Sequence, residues 1–459
     1  MEFSFTSADL YVLAPLLVLA LGAFTALMLD LFVPRGALRR GSVQLATLVA
    51  LVAAIVVSLF QYQQEDIGPT RDALGPLVRD VFRFRMHTVL GALILEGVTL
   101  LSFLLSLSFL GEEDEHYHGE YHALLLLFPF GAILMISAKS LMLAFLGLET
   151  FSVALYVLVA ARRARSRAVE AGLKYFLLGA FAAAVFLYGA ALIYAGNGSL
   201  AVPELGQIAQ TGVPGPQGLA AIGGALLFVA LFFKASVAPF HMWTPDVYEG
   251  APTPITALMS TGTKTAAFVL LCMLAPFIPH EILPLIPVLT VASILVGNVG
   301  ALLQTDLKRL LAYSGIAHAG YLLVAYSVMV TSSQAGAMVA PLRAILYYLA
   351  IYGVTNLAAL GVVAWLERRE PGIVTLDGLR GLWRRNPFAA LVLAVAALSL
   401  AGIPPTAGFW ASTRSSSPRS SRARSPWPSS RSSARSSAST TTCASSCTPS
   451  SCPARPRSP

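Results

Sequence analysis

Three of the five lysines in the chain, Lys174, Lys234 and Lys264, lie within or at the edge of long apolar stretches. A charge at mid-bilayer depth costs at least ~3 kcal/mol, so an amine held there points to function, and its most direct use is to carry a proton. Glu149 sits in a comparable setting, LMLAFLGLETFSVALYVL. Desolvation loosens an amine's hold on its proton and a nearby carboxylate tightens it, so a Glu–Lys pair of variable separation acts as a switch. The expected relay is Glu149, Lys234 and Lys264, with Lys174 at the opening of a span (EAGLKYFLLG). His241 (APFHMW) and His318 (YSGIAHAGYLL) are candidate members. Plainer readings stand beside these. Lys174 can snorkel to the interface. Glu149 can be satisfied by Thr150 or Ser152, and a lone membrane histidine is usually packed or hydrogen-bonded. Thr261, Thr263 and Thr265 flank Lys264 and are expected to hold water. Glu96 in ALILEGVTL is intramembrane with less support from its neighbours, and Asp306, Lys308 and Arg309 read as a surface cluster with no assigned role.

The elements that must position these groups are membrane helices. Apolar residues make up 56% of the 459-residue chain and charged residues 12%, against roughly 25% charged in soluble domains; the mean hydropathy is +0.71. The apolar runs are continuous, which excludes a barrel, and the start lacks a basic region and cleavage site, so the first run reads as a retained span. Twelve spans are expected, at 10–33, 43–61, 88–110, 122–138, 141–161, 171–195, 218–239, 254–275, 284–303, 310–330, 339–366 and 387–411. With the N-terminus outside, the inner connections carry 14 Lys/Arg and the outer ones 5, the bias that sets orientation. The acidic, His-rich inner loop 111–122 reads as solvated.

Proline interrupts two spans. The seventh reads FFKASVAPFHMW, with Pro239 five residues after Lys234, and the twelfth reads LSLAGIPPTAGFW. Such breaks are tolerated only inside protein or beside water. A matched pair of them, five spans apart, suggests two five-helix units inverted relative to each other. The divisions are 1–121 (spans one to three), 122–275 (first repeat), 276–411 (second repeat, incomplete) and a tail, 412–459.

The tail contains eight arginines, no acid and almost no aliphatic residue. It accounts for the whole net charge of +8, so the charge says nothing about nucleic acid or acidic partners, and none is expected. We read it as the product of a shifted reading frame, the alternative being a disordered basic extension. It holds Cys443, Cys447 and Cys452, while Cys272 lies in a span as a small apolar residue, so no disulfide framework is implied. The chain has no phosphate loop, CxxC pair or HExxH, and no redox centre or metal site is expected in it.

Four segments carry a resemblance: GLKYFLLGAFAAAVFLYGAALIYAGNGS (172–199), FKASVAPFHMWTPDVYEGAPTPITALMSTGTKTAAF (233–268), DLKRLLAYSGIAHAGY (306–321) and LAGIPPTAGFW (400–410). Together they closely resemble the subunit N family of bacterial NADH-quinone oxidoreductase, respiratory complex I, over most of residues 10–411. The resemblance implies an all-α polytopic antiporter-like fold of fourteen spans, with two inverted five-helix repeats and broken seventh and twelfth helices. It implies proton translocation through Glu149, Lys174, Lys234 and Lys264, coupled to electron transfer elsewhere. NADH, FMN, iron-sulfur clusters and quinone belong, on this resemblance, to other subunits, which are the partners within the lipid bilayer of a bacterial inner membrane. The alternatives are a subunit of a multisubunit sodium/proton antiporter or membrane-bound hydrogenase, and a structural membrane subunit without its own proton path. The family places a lysine where this chain has Ser412, so a lysine at 412 and two further spans are expected of an intact member.

Overall fold

Eleven helices among the described residues are long and apolar enough to cross a membrane. The computed structural model describes residues 6–34, 36–64, 73–109, 118–202, 217–279, 281–331, 338–369 and 374–416. In chain order the α-helices are α1 (Ser7–Phe32), α2 (Ala37–Gln63), α3 (Pro76–Val81), α4 (Met86–Phe109), α5 (His118–Ser137), α6 (Leu141–Val159), α7 (Ser166–Asn197) and α8 (Gln217–Ala235). Then come α9 (Trp243–Gly250), α10 (Thr253–Leu274), α11 (Leu285–Leu302), α12 (Leu307–Thr331), α13 (Val339–Arg369), α14 (Leu382–Arg385), α15 (Pro387–Leu400) and α16 (Ala407–Ser416).

Local sequence sets several helix starts. Thr6 caps α1: its side chain accepts from the Asp9 N–H while the Asp9 carboxylate accepts from the Thr6 N–H, satisfying donors the helix itself cannot. Ser140 caps α6 by accepting from Met142 N–H. Asn386 caps α15, with Pro387 in the first turn, where its missing N–H costs nothing.

The burial pattern is that of a protein solvated by lipid. Outer helices present large apolar side chains outward, among them Leu21, Phe24 and Leu31 of α1 and Val288, Leu295 and Val299 of α11. The central helix α10 is the opposite: every residue from Thr253 to Leu274 is buried. It is also rich in hydroxyls, which suits a helix surrounded by protein on all sides, since polar side chains in membranes turn toward neighbouring helices. Helix α10 packs against α4, α5, α8 and α13.

Small residues fix the spacing of α5 and α6. A Cβ on Gly131 would lie 2.6 Å from Phe151 N, and one on Gly147 would lie 2.5 Å from Met135 N. Only glycine on both sides lets the two backbones touch, and this contact locks the helix that carries Glu149.

Both expected breaks are present, with differences in detail. The seventh segment ends as helix at Ala235, not at Pro239, and residues 243–250 of the connection 240–253 form the separate helix α9. The twelfth segment is two helices, α15 and α16, separated at 401–406 around Pro404 and Pro405, so neither piece alone has the length of a span. Helix α16 runs through Ser412 to Ser416, past the expected tail boundary; the rest of the tail lies outside the described residues. Residues 111–117 of the acidic loop also lie outside them. His122, expected at the end of that solvated loop, is fully buried in α5 against the rings of Phe103 and Tyr121, because the helix begins four residues earlier and turns it inward.

Candidate functional site

Lys234 occupies the last turn of α8, where a cation complements the negative end of the helix dipole. The chain then breaks, and the freed backbone groups find partners. Trp243 donates its indole N–H to Phe233 O at 3.0 Å, the Val237 N–H returns to Phe232 O at 3.0 Å, and the Ala238 N–H donates to Ser293 Oγ of α11 at 3.0 Å. Ser236 accepts from Thr244 Oγ1 at 2.9 Å, tying the break to α9. The result is a rigid corner with the lysine at its inner edge.

The Lys234 ammonium is only 1% exposed. It donates to Ser152 Oγ at 2.8 Å and to Tyr156 Oη at 3.3 Å, both on α6. Four rings surround it, those of Phe151, Tyr156, Tyr175 and Phe233, with Nζ 5.4–5.9 Å from their centroids. Ring faces attract a cation while excluding water, so the site can hold an ammonium that no carboxylate touches. Glu149 lies on the same helix as Ser152 and Tyr156, three and seven residues earlier, which is one helical face. No ion pair joins it to Lys234 among the described residues, and its buried Oε1 has no hydrogen-bond partner. The carboxylate therefore lies on the face of α6 whose two hydroxyls hold the amine, without closing on it in an ion pair.

Lys264 lies at the middle of α10 with no exposure. Its Nζ donates to Ser260 O at 3.2 Å and to Tyr248 Oη at 3.4 Å. Of the three flanking threonines expected to hold water, Thr263 and Thr265 donate to the helix carbonyls of Met259 and Thr261, at 2.7 and 2.9 Å; only the hydroxyl of Thr261 has no partner. His318 of α12 is 6% exposed; its Nδ1 is 2.6 Å from Tyr348 Oη, and its ring lies 4.8 Å from that of Tyr352. His318, Tyr348 and Tyr352 line a cavity of about 230 Å³ that reaches the second break, with Ser399, Gly402, Gly408 and Ser412 on its far wall.

Lys174 and His241 are placed differently. Lys174 is 45% exposed and pairs with Glu170 at 2.7 Å and Asp246 at 3.1 Å. It faces the helix beyond the first break, not the buried line, while its neighbour Tyr175 turns inward to the Lys234 cage. Asp246 in turn accepts from Arg309 at 2.7 Å, which also holds Glu249 at 2.9 Å. Partial burial pushes the Asp246 carboxyl upward, but the hydrogen bonds from Arg309 and Lys174 outweigh it and hold the group below the usual carboxylate range. His241 is half-buried in the first break; burial lowers its affinity for a proton, opposed by a hydrogen bond with the Pro239 backbone.

The surface reading of Asp306, Lys308 and Arg309 is corrected for Lys308. It is 6% exposed and donates to Ala251 O at 3.0 Å, capping the end of α9, because α12 turns it toward α9 at its first residues. Glu367 near the end of α13 is also buried, accepting from Arg165 at 2.7 Å and from the Thr253 hydroxyl. Glu96 is fully buried, accepting from Ser58 at 3.0 Å. Among residues not singled out from sequence, Tyr156 and Tyr175 belong to the Lys234 site and Tyr248, Tyr348 and Tyr352 to the Lys264–His318 site. The seven-residue step from Glu149 to Tyr156 was a readable signal; the others come from separate helices. No group of three or more His, Cys, Asp or Glu able to hold a metal occurs among the described residues.

Comparison with known proteins fits this architecture. The family model described as NADH:quinone oxidoreductase/Mrp antiporter, TM, matches residues 138–415, a span that includes both breaks, Glu149, Lys234, Lys264 and His318. NADH-quinone oxidoreductase subunit N of Chloroflexus aggregans is 40% identical over 412 residues, covering 88% of this chain and 80% of the relative. The subunit N of Salinibacter ruber is 46% identical over 314 residues, 68% of this chain and 61% of the relative. Among solved structures, a chain of respiratory complex I from Thermus thermophilus, determined with bound aureothin, is 35% identical with a TM-score of 0.67, covering 87% of this chain and 81% of that one. An archaeal membrane-bound sulfane sulfur reductase shares the fold alone, at 22% identity and a TM-score of 0.77 over 89% of this chain and 81% of that one. By its matched family model and its relatives' identity over most of its length, the chain belongs to the NADH:quinone oxidoreductase/Mrp antiporter membrane family, within the NADH-quinone oxidoreductase subunit N group.

Proposed function

We propose that the chain is a proton-translocating membrane subunit of an NADH:quinone oxidoreductase. Protons move along a line from Glu149 through the caged Lys234 to Lys264 and His318, and leave through the cavity at the second break. Electron transfer, with its NADH, FMN, iron-sulfur clusters and quinone, takes place in partner subunits; this chain supplies the path and no redox chemistry. Its setting is a bacterial inner membrane with the N-terminus outside, which the distribution of Lys and Arg between the connections supports. Residues 122–275 and 276–411 act as two inverted halves, each built around one break.

The observation that carries the reading is the Lys234 site. An amine enclosed by four rings, hydrogen-bonded to two hydroxyls and offset from a carboxylate on the same face, has no plain packing role. A purely structural ion pair would close Glu149 directly onto the ammonium; a switch needs them separable. Lys174 and His241 stand at the edge of the line, and we assign them to proton entry near the first break: Lys174 through the charged surface it shares with Asp246, His241 through its half-buried ring.

The test is NADH-driven proton uptake by membrane vesicles carrying the assembled oxidoreductase with Lys234→Ala. Uptake per NADH oxidised is expected to fall while the complex still assembles. Unchanged uptake would return the chain to a structural role.

A further inference from the structure

At the first break the Lys234 amine has two hydroxyl partners, Ser152 and Tyr156; at the second, no hydrogen bond among the described residues joins Lys264 to the cavity beside His318. Among the described residues, Lys264 donates to Ser260 O and Tyr248 Oη, neither of which borders the His318 cavity. The buried hydroxyl of Tyr352 has no hydrogen-bond partner among the described residues, although its ring lies against His318 and lines that cavity.

Gly315, one turn before His318 on α12, brings the two together. The position a Cβ would take on Gly315 is 3.0 Å from Tyr352 Oη and 3.2 Å from Lys264 Nζ. Both polar atoms therefore converge on the bare backbone of this residue, from α13 and α10 respectively. Any larger residue would set a carbon against both and force one of them to shift.

We propose that Tyr352 is the relay hydroxyl between Lys264 and the His318-lined cavity, and that Gly315 is the positioning residue that lets the amine and the hydroxyl meet. The step balances without other reactants. Lys264 gives a proton to the Tyr352 oxygen, directly or through one water, as the phenolic O–H gives its own proton to the cavity side. Tyr352 is neutral before and after, and a reverse rotation of the hydroxyl resets it. The inference rests on Lys264 being part of the proton line.

The experiment compares four variants of the assembled oxidoreductase in sealed vesicles: Lys264→Ala, Tyr352→Phe, Gly315→Ala and Gly315→Ser. The readouts are proton uptake per NADH oxidised and the amount of assembled complex. Tyr352→Phe removes one oxygen and keeps the ring against His318, so its uptake is expected to fall to the level of Lys264→Ala with assembly unchanged. Gly315→Ala is expected to lose uptake as well, whereas Gly315→Ser, which adds similar bulk but supplies a hydroxyl at the meeting point, is expected to retain more than the alanine variant. If Lys264→Ala abolishes uptake and Tyr352→Phe leaves it normal, the Tyr352 assignment is overturned and the larger reading stands. Equal loss in the serine and alanine variants would overturn the role of Gly315 as a meeting point, since bulk alone would then explain it. Normal uptake in Lys264→Ala would overturn the proton line itself.

Discussion

The two broken helices solve one problem in different ways. At the first, α8 brings its own cation to the break: Lys234 lies in its last turn, a carboxylate lies on α6, and Ser236, Val237 and Ala238 are fully buried, with Ser236 and Ala238 tied by hydrogen bonds to Thr244 and Ser293. At the second, residues 387–413 contain no ionisable side chain. The break between α15 and α16 is held by hydroxyls, with Ser399 Oγ accepting from the Gly408 N–H at 3.2 Å and lying 3.3 Å from Thr355 Oγ1, and it borders a cavity rather than a caged charge. On the proposed function, the first break would store a charge under control of a neighbour, and the second would offer a polar route that depends on groups from α10, α12 and α13.

The largest expected effect is that of emptying the first break. Lys234→Ala removes the stored charge and should abolish proton uptake through this chain. The truncation leaves a void beside Ser152 and Tyr156 but also removes a buried, unpaired charge, so the melting temperature of the detergent-extracted complex should change little beside the loss of uptake. Next comes a change that would make the second break resemble the first. Ser412 lines the cavity, and Ser412→Lys would place an amine there, as the family pattern does. Uptake is expected to rise, measured in the same vesicles; an unchanged rate would show that the second break works without a cation of its own.

Glu149→Gln keeps the shape of the first site and removes its switching partner. Uptake should fall less than in Lys234→Ala, and a full loss would mean that the carboxylate does more than modulate the amine. Ser152→Ala is smaller again. It removes one hydrogen bond to a buried ammonium, a contact typically worth ~1.5–3 kcal/mol, and the check is a modest drop in melting temperature with uptake slowed rather than lost.

The smallest effect is at the rim. Asp246→Asn breaks the pairs with Lys174 and Arg309, which are partly exposed and so together contribute no more than ~1 kcal/mol. Because the folded Asp246 carboxyl is held below its usual range, its contribution is present above the ordinary carboxylate pKa and disappears as pH falls through the lowered folded value. Wild type and variant should therefore differ slightly in melting temperature at neutral pH and converge in strong acid.

Much of the fold was legible because membrane helices announce themselves. Of the twelve spans expected from continuous apolar runs, eleven match helices long enough to cross a membrane, the twelfth is split in two, and proline marked both interruptions. The limits of the breaks were not legible: α9 was hidden in what reads as a connection, since WTPDVYEG is neither apolar nor long. For the site, Lys234 and Lys264 were visible as costly charges, and both are fully enclosed. Lys174 and Lys308 show the limit of that signal. One lies in an apolar context yet points to a charged surface; the other lies in a polar cluster yet is buried. Hydropathy averages over all sides of a helix, whereas burial depends on which side each residue faces.

The sequence by itself determined the class of the molecule, the rough extent of most of its spans, the two breaks and the charges that an apolar setting makes costly. These follow from residue type and spacing alone, because lipid tolerates neither unpaired backbone nor stray charge. The tertiary structure decided which groups meet. The aromatic cage draws its rings from α6, α7 and α8, and the convergence of Lys264 and Tyr352 on Gly315 needs three helices at one depth. Contacts between helices far apart in the chain depend on rotation and height, and no local pattern of residues encodes those.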